Sequence, residues 1–92
     1  MPDILPQPLV DRIVQLLNDK SLAKPLRDSL LHEAAAEGWN VLFPENVARL
    51  SKDCIMQRWE ALGRQLSNHP DRGRIIRVLE SSASGERFHW LD

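Results

Sequence analysis

Tyrosine is absent from the 92 residues, cysteine occurs once, and phenylalanine and tryptophan together supply only 5% of the chain. A single thiol, Cys54, excludes an internal disulfide framework, as suits a reducing compartment. One cysteine with three widely spaced histidines, His32, His69 and His89, does not make a zinc site. No apolar run approaches the ~18–20 residues that a bilayer-spanning helix needs. The N-terminus lacks the positive and apolar regions of a signal peptide. Charge of one sign is missing too: 12 Lys/Arg face 13 Asp/Glu, for a net charge of −1. That excludes a uniformly basic, histone-like chain while allowing a local basic face. Glycine-rich phosphate loops and dinucleotide spacings do not occur. Cys54 and His69 stand too far apart along one straight helix to act as nucleophile and base. We therefore expect no enzyme, no cofactor and no metal, in a soluble cytoplasmic protein.

What is present fits one domain. An apolar fraction of 42% and a charged fraction of 27% lie near the globular average. A chain of this length buries enough surface for one modest core. Residues 1–7, with two prolines, read as an extended lead. Pro8 opens a helix over about 8–19, with Leu9, Val10, Ile13, Leu16 and Leu17 on one face. This helix is also the natural element for a homodimer. Ser21 is the expected N-cap of a second helix, with Pro25 in its first turn and Gly38 as its stop. Residues 39–43, large and β-branched between a glycine and a proline, read as a short strand. A short helix over 44–50 follows.

The cleanest periodicity comes next. Ile55, Trp59, Leu62 and Leu66 predict a helix over 52–68, capped by Ser51 and with Asp53 in its first turn. Asn68 to Gly73 is a turn by composition. Residues 74–79 are rich in β-branched side chains and 87–91 in aromatics, with small turn formers between them. We expect an antiparallel hairpin here. The rival reading is a fourth helix over 71–82, because Ile75, Ile76 and Leu79 also suit helical spacing.

These pieces resemble the winged helix-turn-helix effector domain of bacterial response regulators. The segment 59–66, Trp-Glu-Ala-Leu-Gly-Arg-Gln-Leu, looks like the end of that family's recognition helix. The segment 68–78 looks like the following turn and first wing strand, and 43–50 is similar to the positioning helix. The resemblance covers about half the chain and implies four helices plus a wing, mainly α with a small β-hairpin. It departs from the family in having two helices where the N-terminal sheet would be. The wing's glycine-and-tyrosine closing is replaced by Gly85, Glu86, Arg87, Phe88, His89 and Trp90.

Such a domain implies a small regulator that binds DNA, with RNA left open. Helix 52–68 would enter the major groove, with Gln57 and Arg64 reading bases and Lys52 and Arg58 touching phosphates. Arg72, Arg74, Arg77 and Arg87 would track the backbone from the wing. The exposed side of that helix, however, carries Asp53, Gln57, Glu60, Arg64 and Asn68, and two acids there oppose one arginine. That balance supports a second reading, a protein-binding adaptor or inhibitor on the same scaffold. Phe88 and Trp90 are the aromatics expected to anchor its partner.

Overall fold

The computed structural model describes residues 4–45, 47–84 and 88. Four α-helices follow in order: α1 Gln7–Asn18, α2 Lys24–Leu42, α3 Lys52–Gln65 and α4 Arg72–Ser84. A single 3-10 turn, Val47–Arg49, stands between α2 and α3. Among the described residues there is no strand.

The first helix forms where its periodicity places it. Leu9, Val10, Ile13, Leu16 and Leu17 are all buried, and Pro8 sits in the first turn, where a missing N–H costs nothing. Ahead of it, Leu5 is fully buried, so the lead-in is anchored rather than merely extended. Helix α2 begins at Lys24 with Ala23 at the cap position, not at Ser21. Ser21 is instead drawn into a turn, its N–H donating to Asp19 Oδ1 at 2.9 Å.

Two expected β segments are helical. Residues 39–42 continue α2, and the Phe43 N–H closes the last turn on the Trp39 carbonyl at 2.8 Å. The stop is Pro44, which forces the residue before it out of the α region; Phe43 lies at φ −131°, ψ 72°. Gly38 does not end the helix but lies buried within it, where α4 comes close. A Cβ on Gly38 would stand 2.7 Å from Leu79 Cδ2. The helix expected over 44–50 shrinks to the 3-10 turn.

The larger correction concerns the hairpin. Residues 72–84 form α4, so among the described residues the fold is all-helical and no wing is present. Ile75, Val78 and Leu79 are fully buried at i, i+3 and i+4, together with Ser81. The helix places the three apolar side chains on one stripe facing α2, whereas a strand would alternate them between two faces. That common burial outweighs the preference of Ile and Val for strands. Of the proposed second strand, 87–91, only Phe88 lies within the described residues, and it is fully buried.

The backbones of α1, α2 and α4 approach one another closely, and α3 stands further out. Leu62 and Leu66 fasten α3 to the common core, with Ile55 and Trp59 partly buried against it. At the opposite flank Arg12 on α1 pairs with Glu37 on α2 at 2.7 Å.

Candidate functional site

Three of the expected nucleic-acid residues, Arg58, Arg72 and Arg74, are engaged by groups of the chain itself. On a helix at 100° per residue, Arg72 lies roughly opposite Arg74 and Arg77. Arg74 turns toward the C-terminus of α1 and donates to the Leu17 carbonyl at 3.0 Å, Asn18 Oδ1 at 2.9 Å and Asp71 Oδ1 at 3.2 Å. It satisfies a helix-terminal carbonyl, a structural task. Arg72 donates to the Ser67 carbonyl at 2.6 Å. Arg58 is held by Glu45 through two bonds, 2.7 and 3.0 Å, and donates to the Leu42 carbonyl at 3.0 Å. Its guanidinium also lies 5.9 Å from the centre of the Phe43 ring. Lys52, Gln57, Arg64 and Arg77 are exposed. Arg87 and Trp90 lie outside the described residues.

Phe88 packs inside, its ring 4.3 Å from that of His32. The apolar stripe of α1, expected to offer a dimer surface, is packed inside its own chain. A dimer through residues 8–19 would rest on its polar side, which includes Asp11, Arg12, Gln15 and Asn18.

A different site is built where α2, α3 and α4 meet. Trp39 from the last turns of α2 and Trp59 from the middle of α3 lie with ring centres 5.9 Å apart and planes inclined at 56°. Phe43 backs both, at 4.7 Å from Trp39 and 5.7 Å from Trp59. Such tilted and edge-on pairs match the ring quadrupoles and add stability beyond burial. The two indoles, with Ile76, Glu80 and Ala83 of α4, line an open groove of about 440 Å³. Each helix contributes through its register. Ser51 caps α3, its Oγ accepting the Cys54 N–H at 3.1 Å, and Trp59, two turns further along, packs against the core. On α4, Ile76, Glu80 and Ala83 stand at i, i+4 and i+7, one face beside the buried stripe.

The groove is apolar with one acid. Trp39, Trp59 and Ile76 are half-buried, and Glu80 and Ala83 are exposed. Among the described residues Glu80 pairs with no cation. Met56, one turn before Trp59 on α3, is 58% exposed. The sequence places Trp59 in the apolar stripe of its helix and Trp39 in a short strand, and the groove between them is not read from it.

Glu45 is the clearest perturbed acid of the chain. Its hydrogen bonds from Arg58 hold the carboxyl at about 2. This serves architecture, since Arg58 joins Glu45 and the end of α2 to α3. Among the described residues no group of His, Cys, Asp and Glu is arranged to hold a metal ion, and no helix is long and apolar enough to cross a membrane. Compared with family models, with curated proteins and with solved structures, the chain finds no match.

Proposed function

We propose that this chain is a non-enzymatic protein-interaction module whose docking surface is the groove between α2, α3 and α4. The occupant is a segment of another protein that brings an apolar side chain and a positive charge. The observation that carries this reading is the pair of half-buried tryptophans beside a carboxylate that has no cation among the described residues. Tryptophan contributes heavily to binding energy when a partner desolvates it. The volume, about 440 Å³, suits one or two side chains rather than a whole helix face. Glu80 supplies charge complementarity at the rim, which sets the partner's sign and orientation.

Nucleic-acid binding draws less support from the same residues. Arg58 and Arg74 are committed to carbonyls and carboxylates within the fold. Releasing either for a phosphate would leave those groups unsatisfied.

The test is a selection of displayed random dodecapeptides against the full chain, repeated with Ala83→Trp. Ala83 is exposed, so the new indole fills the groove without entering the core. The expected result is a family of peptides that bind the native chain and lose at least tenfold in affinity for the variant. Peptides that bind both proteins equally, or a selection that enriches none, would overturn the proposal.

A further inference from the structure

The groove repeats, without its cation, an arrangement that the chain completes elsewhere. Beside it, the Arg58 guanidinium lies over the face of Phe43 and forks onto the two oxygens of Glu45 at 2.7 and 3.0 Å. That grouping is an aromatic ring, a carboxylate and a planar cation that satisfies both. In the groove, Trp39 and Trp59 provide two larger aromatic walls, set at 56°, and Glu80 provides the carboxylate. Tryptophan is the best aromatic partner for a cation because its ring carries the strongest negative face.

Resting on the docking function proposed above, the geometry points to an arginine side chain of the partner protein as the group seated in this groove. Arginine fits better than lysine for two physical reasons. Its planar guanidinium stacks on an indole face and is weakly hydrated, so it is more easily desolvated than an ammonium. Its fixed fork also matches both oxygens of a carboxylate, where lysine offers a point charge. The methylene stem lies along Ile76 and Ala83, which form the apolar floor contributed by α4. Glu80 is exposed, so it selects the cation without being needed for folding.

The experiment uses the full chain labelled with ¹⁵N, following the indole N–H signals of Trp39 and Trp59 in nuclear magnetic resonance. The probes are N-acetyl-arginine amide and its neutral isostere N-acetyl-citrulline amide, with N-acetyl-lysine amide as the third. Arginine amide is expected to shift both indole signals saturably. Citrulline amide should bind about threefold to fivefold more weakly, as loss of cation–π attraction and one exposed ion pair implies. Glu80→Gln should weaken arginine amide by part of that difference, because the ion pair is lost while the cation–π attraction to the indoles remains. Equal binding of arginine and citrulline amides would overturn the inference, as would affinity unchanged by Glu80→Gln. Failure here is distinct from failure of the docking function. Selected peptides that need an open groove but carry only aliphatic residues there would remove the arginine and leave the docking surface.

Discussion

Two glycines inside helices stand in opposite surroundings, and the contrast decides what each contributes. Gly38 lies where α2 and α4 touch, with Leu79 Cδ2 2.7 Å from the position of a Cβ and Leu9 Cδ2 at 3.7 Å. Gly63 on α3 has nothing within 4 Å of the same position. Glycine in a helix costs about 1 kcal/mol relative to alanine through backbone entropy. At Gly63 that cost is uncompensated, so Gly63→Ala should stabilise the protein by about 0.4–1 kcal/mol. At Gly38 the entropy is exchanged for close helix approach. Gly38→Val should destabilise by about 1–3 kcal/mol, because Leu79 is fully buried and has little room to yield. Thermal and urea unfolding of the two variants checks both signs. A stabilised Gly38→Val would mean that α2 and α4 do not pack as closely as described.

At the scale of elements, α3 is clipped to the end of α2 by Arg58, and the clip has a pH signature. Glu45 titrates near 2 in the folded chain, below its ordinary 4.5, because Arg58 donates to it. A carboxyl lowered by folding contributes stability above its unfolded value and loses it as pH falls toward the folded one. The stability difference between the native chain and Glu45→Gln should therefore be constant above about pH 5, shrink below 4.5 and vanish near 2. Denaturant unfolding across that range measures it, and a difference that persists at pH 2 would remove the ion pair as its cause. The same elements show what the residues announced. Helices α1 and α3 were legible because each shows its apolar stripe at helical spacing, and Ser51 caps α3 as its position suggests. Helix α4 was legible only as the rival to a hairpin, since Ile75, Ile76 and Val78 favour strands locally and burial against α2 decides the outcome. Gly38 misled for a related reason. A glycine that stops a helix and one that admits a neighbour look identical until the neighbour is placed. The groove was hidden in the same way, because Trp39 and Trp59 are twenty residues apart and Glu80 a further twenty-one. No local pattern joins them.

For the whole molecule, the unequal spacing of the helices predicts unequal stability. The three closely approaching helices α1, α2 and α4 share the buried stripe residues of the core. Helix α3 reaches that core through Leu62 and Leu66, and through a paired contact with the lead-in. Gln65 Oε1 accepts the Leu5 N–H at 3.0 Å, and Gln65 Nε2 donates to the Leu5 carbonyl at 2.9 Å. One side-chain amide thus satisfies both backbone groups of a residue that is fully buried. Elements with fewer core contacts open at lower free energy than the global unfolding. Amide exchange in α3 should accordingly report a sub-global opening, with Leu62 less protected than Val78 and Leu79 on α4. Gln65→Ala should lower that opening energy by about 1–3 kcal/mol, since it leaves two buried backbone groups without partners. Protection in the heart of α2 and α4 should fall by less. Because α3 carries Trp59, half of the groove's aromatic wall leaves with it when it opens. A groove-bound peptide should then slow exchange in α3 more than in α2, in proportion to its concentration above the dissociation constant. Uniform protection across all four helices, with or without peptide, would show that the chain opens only as one unit and that α3 is not the separable element.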